Sequence, residues 1–240
     1  MPEPEIVVRE DKSELAVEAS DFVLREIQDS RSNPFFLALA GGSTPAATYR
    51  ELAELPINWR RVHFFLSDER CVPEDDPNSN SRVARESLLD LIDIEESQIH
   101  LPRLDLDPDE AAASYESEVR GLVPGATLPS FDLILLGIGA NGHTASIFPN
   151  EPEIDESERL VVATRRELQT PPGPPLRRLT FTFLLINAAR VVAIIASGGE
   201  KAGAIATAMA GERPREITAG NVRPAGKLVW LLDRAAASRI

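Results

Sequence analysis

The 240-residue sequence predicts an α/β fold: a doubly wound, mainly parallel Rossmann-like sheet with helices on both faces. Three observations carry this. Short apolar runs alternate with helix-like segments along the whole chain. Two of those runs, FDLILLG (131–137) and VVAIIAS (191–197), are apolar on both faces, as strands covered from both sides of a parallel sheet are. No flexible linker divides the chain, so residues 1–240 read as one domain.

Taken in order, IVV (6–8) is the first strand. A helix follows whose apolar positions Leu15, Ala19, Phe22, Val23 and Ile27 share one face, with Asp11 or Ser13 as its cap. FFLALA (35–40) is a buried strand leading into a helix from Pro45 to about Glu54, with proline in its first turn. VHFFLS (62–67) is the third strand. After a polar loop, Ala84, Ser87, Leu88, Leu91 and Ile92 recur at helical spacing, which predicts an amphipathic helix. A further helix is expected over Asp109–Val119, one from Lys201 to Met209, and a last strand at LVWLL (228–232). Residues 149–178, with Pro149, Pro152, EPEIDESE and PPGPP, read as a loop or small insertion.

Composition narrows the function. Hydrophobic residues at 43% and charged residues at 26% exclude a disordered chain. The formal charge of −13 argues against nucleic acid, which needs a concentrated basic face. No apolar run approaches the ~20 residues of a membrane span. MPEPEIVVREDK has no basic start followed by an apolar stretch, so no secretory signal and a cytoplasmic location are expected. The lone Cys71 cannot form an internal disulfide, which fits a reducing compartment. Lysine occurs only at positions 12, 201 and 227, which draws notice to Lys201.

In an open parallel sheet, ligands bind beyond the carboxyl ends of the strands. Four segments follow strands: GGSTP (41–45), DER (68–70), GIGANGH (137–143) and SGGEK (197–201). If their strands are parallel, all four meet on one rim. In GGSTP, Gly41 and Gly42 permit close backbone approach, and the amides and hydroxyls of Ser43 and Thr44 at a helix N-terminus suit a phosphate. A tight turn capped by Ser43 or Thr44 is the plainer alternative, and the motif by itself does not separate the two. Lys201 stands in a helix first turn, where a bound anion would offset its conflict with the dipole.

GIGANG matches the dinucleotide pattern letter for letter, yet Pro149 and Pro152 interrupt the helix that pattern requires. His143, framed by glycines at a strand end, suits proton transfer, or else is a structural imidazole bonded to backbone. Asp68 could orient or accept a proton, and Arg70 could clamp an anion. For Glu69 a local ion pair with a surface arginine is the expectation, and Cys71 is taken as an inert thiol. No serine-nucleophile elbow or triphosphate-binding loop is present, and His63, His100 and His143 lie far apart in sequence, so no metal site is expected.

LALAGGSTPAATYREL, FFLSDERCVPEDDPNSNSR, FDLILLGIGANGHTASIFPN, RRLTFTFLLINAAR and SGGEKAGAI, in that order, closely resemble the 6-phosphogluconolactonase family. The wider superfamily includes glucosamine-6-phosphate deaminase, but that branch usually continues its GH segment with a stretch such as IAFNEP, where this chain has TASIFPN. The resemblance implies hydrolysis of 6-phospho-D-glucono-1,5-lactone to 6-phosphogluconate, a Rossmann-like fold, a cytoplasmic location and no obligatory cofactor. It further implies His143 as general base or acid and Asp68 as a polar partner in the site. Arg70 and Lys201 are implied as phosphate ligands, helped by the amides of Gly41, Gly42, Ser43 and Thr44, with Arg178 as a further substrate contact. Asn141 and Gly142 complete the expected binding set, the GIGANG amides being candidates to stabilise an oxyanion. Two positions depart from the family pattern: Asn141 stands where an aspartate is common, and Cys71 where a tryptophan is. A deaminase-like enzyme and a non-catalytic sugar-phosphate sensor are the alternatives. The assembly expected is a monomer or weak homodimer.

Overall fold

The computed structural model describes residues 3–168, 175–210 and 215–240. In chain order these form β1 (Glu5–Arg9), α1 (Lys12–Asp29), β2 (Phe35–Leu39), α2 (Ser43–Ala53), β3 (Val62–Leu66), β4 (Asp68–Arg70), α3 (Asn80–Ser87), α4 (Pro108–Leu122), β5 (Leu133–Leu136), β6 (Val161–Ala163), β7 (Arg178–Phe181), α5 (Phe183–Ile186), β8 (Val191–Ala196), α6 (Ala202–Met209) and β9 (Lys227–Asp233). Six strands make one sheet in the order β1-β9-β8-β5-β2-β3, every pairing parallel. The α/β doubly wound expectation therefore holds.

The strand sequences explain why both faces are covered. Phe35, Leu37 and Leu39 enter one apolar cluster with Leu15, Phe22 and Leu52 from α1 and α2. Phe36 and Ala38, pointing the other way, enter a second with Tyr115 and Val119 of α4 and Ile205 of α6. β5 and β8 split in the same period-two manner, Leu133 and Val191 to one side, Ile134 and Val192 to the other. Asp11 caps α1, its Oδ1 accepting from the amides of Ser13 (2.8 Å) and Glu14 (3.0 Å).

Three features depart from the sequence expectation. The amphipathic helix continued to Ile92 is shorter: α3 ends at Ser87, and Leu88 leaves helical geometry at φ −146°. Turning there lets the consecutive Leu88 and Leu89 both reach the core, while Leu91 is left 58% exposed. DER is not merely a strand end but a strand of its own. β4 pairs antiparallel with β7, which pairs antiparallel with β6, giving a second three-stranded sheet. His63 and His100, distant in sequence, are hydrogen-bonded at 2.8 Å, and His100 Nδ1 reaches Glu118 at 2.7 Å. Within 149–178 the described residues include a 3-10 turn at Pro152–Asp155, β6 and the first residue of β7. PPGPP lies outside the described residues except for Pro175.

The strand ends that carry the site are anchored by buried tyrosines. The Tyr49 hydroxyl folds back from α2 to accept from Ala40 N and donate to Ala40 O, both at 2.8 Å, just before GGST. Tyr115 of α4 accepts from Leu66 N at 2.8 Å, just before DER.

Candidate active site

The four tips leave β2, β3, β5 and β8, and these strands are consecutive neighbours in the sheet. Their parallel direction puts GGST, DER, GIGANGH and SGGEK on one rim. A cavity of about 240 Å³ opens there, lined among others by Gly41, Gly42, Ser43, Thr44, Asp68, Arg70, His143, Arg178 and Lys201. Nine of the sequence-derived site residues thus share one pocket.

At GGST, Gly42 is the N-cap of α2 with φ +105°, a conformation that favours glycine. Among the described residues no side chain caps the helix, and its N-cap is Gly42 rather than Ser43 or Thr44. Gly41, Gly42, Ser43 and Thr44 of this turn all line the cavity. Lys12, at the start of α1, donates to Ser43 Oγ at 3.3 Å from outside the lining. At SGGEK, Gly198 takes φ +107° and the following three residues form a 3-10 turn that ends at Lys201. Asp233, at the end of β9, braces this turn by accepting from Ser197 Oγ (2.5 Å) and Gly198 N (3.1 Å). Burial lowers the proton affinity of the Lys201 amine.

β4 and β7 carry the other charges. Arg70 and Arg178 are direct cross-strand partners in the small sheet. Burial, and then Arg70, pull the Arg178 guanidinium down from its usual value, with Asp68 pulling the other way. Asp68 Oδ2 accepts from Ser146 Oγ at 2.7 Å. Glu69 does not make the expected ion pair. It is fully buried and accepts from the amides of Arg70, Asn80 and Ser81 (2.7 Å each) and from the Ser81 hydroxyl (2.7 Å), so it caps α3 from beneath. Burial pushes its carboxyl up against those donors. Burial likewise pushes the Cys71 thiol up to about 11, which keeps it an un-ionised thiol.

His143 is held from behind. Its backbone N–H and its Nδ1 both point at Asn141 Oδ1, at 3.3 and 2.5 Å. A backbone amide can only donate, so the oxygen end of the Asn141 amide faces the ring and Nδ1 carries the proton. Nε2 of the neutral ring is therefore a free lone pair. The ring stacks on Phe148 (4.2 Å, 8°), and Phe148 in turn lies under the Arg178 guanidinium at 5.0 Å. Burial first, then Arg178, Arg70 and Lys201, lower the imidazole to about 4, against the opposing pull of Asp68. At neutral pH the ring is a base awaiting a proton.

Asn141 and Gly142 do not line the cavity. Asn141 supports His143, and Gly142, at φ +82°, packs where a Cβ would strike Ile217. The amides of Gly139 and Gly142 are engaged within the loop, donating to His143 O and Gly139 O at 2.9 Å each. No helix follows Gly142 before the turn at Pro152, so the dinucleotide pattern has no helix N-terminus to offer. Sequence reasoning missed Asn80, Ser146, Phe148, Asp233 and Lys12. Of these, Ser146 and Phe148 lie inside the quoted FDLILLGIGANGHTASIFPN segment and Asn80 inside FFLSDERCVPEDDPNSNSR, which was the available signal; Asp233 and Lys12 mark themselves only by contact.

Fold and cleft define an α/β protein whose strand-tip pocket joins a neutral imidazole to three cationic side chains, an arrangement for chemistry on a small anion. A family model described as "Glucosamine-6-phosphate isomerases/6-phosphogluconolactonase" matches residues 10–230, and the chain belongs to that family. A 6-phosphogluconolactonase of Synechocystis sp. is 41% identical over 208 residues, 85% of this chain and 84% of the relative. The solved structure of 6-phosphogluconolactonase from Trypanosoma brucei is similar with a TM-score of 0.90 at 30% identity, covering 99% of both chains. A monomeric glucosamine-6-phosphate deaminase is similar with a TM-score of 0.84 at 25% identity, covering 98% of this chain and 100% of that one.

Proposed function

We propose that this chain hydrolyses 6-phospho-D-glucono-1,5-lactone to 6-phospho-D-gluconate, the second step of the oxidative pentose phosphate pathway, with His143 as the proton carrier. The observation that carries the reading is the free Nε2 of His143 in the same cavity as Arg70, Arg178 and Lys201. The lactonase names of the similar chains support the substrate, and TASIFPN supports this branch over the deaminase.

In this reading the phosphate binds among Lys201, Arg70 and the backbone donors of Gly41–Thr44, and Arg178 contacts the sugar. Binding the remote phosphate fixes the orientation of C1 without acting on it. His143 Nε2 takes a proton from water as the oxygen attacks C1. The resulting imidazolium gives that proton to the ring oxygen as the C1–O5 bond breaks, and the new carboxylic acid ionises to solvent. Positive charge from Arg178, the cation not committed to the phosphate, favours the oxyanion formed in between. Asp68 favours the imidazolium, since its charge raises the proton affinity of His143. In the same reading the chain works in the cytoplasm, as a monomer or weak homodimer, and without a cofactor.

The test is a coupled assay on freshly prepared lactone with the spontaneous rate subtracted. Acceleration is expected, and no ammonia release from glucosamine 6-phosphate. Ammonia release without lactone hydrolysis would replace this reading with the deaminase.

A further inference from the structure

Asn80 opens α3, is 1% exposed, and lines the cavity. Its backbone N–H donates to Glu69 at 2.7 Å. Its side-chain Nδ2 donates to the Asp68 carbonyl at 2.8 Å and to Asp68 Oδ1 at 3.3 Å, while Oδ1 accepts from Arg70 Nη1. A guanidinium only donates and the Asp68 oxygens here only accept, so both ends of the amide are dictated by their partners. The same side chain occupies the space where a Cβ at position 41 would stand. One buried side-chain amide therefore joins Asp68 and Arg70, the two ends of β4, and closes against the GGST turn.

We propose that Asn80 is a positioning residue for anion recognition: its amide holds the Arg70 guanidinium and the Asp68 carboxylate in mutual register against Gly41. This rests on the reading of Arg70 as a phosphate contact. An amide does what an aspartate there would not. It supplies an acceptor to Arg70 without neutralising it, and a donor to Asp68 without repelling it. It also explains why position 41 is glycine, since any side chain would displace the amide that aims Arg70.

The experiment compares kcat/KM for 6-phosphogluconolactone with that for unphosphorylated gluconolactone in the full chain. Asn80→Ala should lower this selectivity ratio about 10–100-fold, the size of a lost buried polar contact, chiefly through KM for the phosphorylated lactone. Asn80→Asp, which keeps the volume should the alanine variant fold poorly, should lower it at least as much, because its carboxylate pairs off Arg70. In an Arg70→Ala background, Asn80→Ala should add less than a further twofold. A folded Asn80→Ala or Asn80→Asp protein with a ratio within twofold of wild type overturns the proposal. So does a full, additive loss in the Arg70→Ala background. An unchanged ratio in Arg70→Ala alone would instead remove Arg70 from the phosphate site. Calorimetric titration with 6-phosphogluconate gives the same comparison if wild-type turnover is absent, a loss of affinity in both Asn80 variants supporting the role and unchanged affinity overturning it.

Discussion

At His143, three residues decide the chemistry: Asn141 sets which nitrogen bears the proton, Phe148 sets the plane of the ring, and Asp68 offsets the surrounding cations. His143→Ala should leave the fold intact, because the ring borders the cavity, and lower kcat by about 10²–10⁴-fold. Near-wild-type turnover would exclude it as the base. The neutral form is the active one, so activity should rise with pH through about 4 and be flat by neutrality. Asn141→Asp puts a carboxylate against Nδ1, favours the imidazolium, and should move that acidic limb to higher pH. A kcat/KM profile of the variant that overlays wild type would show that Asn141 does not control the ring.

At the scale of elements, the small antiparallel sheet is what brings Arg70 and Arg178 together, and Glu69 is what seats it on α3. Glu69→Gln puts an NH₂ against at least one backbone amide, which cannot accept, whichever way the side chain turns. A loss of about 2 kcal/mol is expected, or roughly 4–8 °C in Tm for a chain of this length. A thermal melt unchanged from wild type would show that the cap is dispensable. These elements also mark where sequence reading stopped. β2, β5 and β8 were legible because each is a continuous apolar run with glycine at its end, and His143, Arg70 and Lys201 were legible beside them. β4, β6 and β7 have three or four residues each, too few to display a two-residue period. Asn80 was not legible because its partners lie ten or more residues away and nothing in PNSNSR distinguishes one asparagine from the other. The His63–His100 contact spans 37 positions and leaves no local trace.

For the whole molecule, two imidazoles make stability depend on pH. His143 and His63 both titrate below their unfolded value, His63 through burial and then its neighbour His100. Unfolded imidazoles take up protons near ~6.5, so the unfolded chain gains protons first as pH falls. Stability is therefore fullest above pH 6.5 and declines as pH drops towards about 4. Below the ordinary carboxyl range a second loss follows, as at Glu96, which Arg85 holds low. Urea midpoints should fall between pH 6.5 and 4, and His143→Ala should shrink that fall. An equal fall in the variant would assign it to other groups.

The facing pair Arg70 and Arg178 has one more consequence. Like charges set opposite each other across a ladder push their strands apart, so the pair sets a discord at the mouth of the pocket, and a dianion bound beside Arg70 is a peacemaker as well as a cargo. Inorganic phosphate or sulfate alone should raise the melting temperature, and replacing Arg178 with glutamine should make the ligand-free protein melt later while blunting that rise. The enzyme's most fragile moment would then be the interval between one turnover and the next.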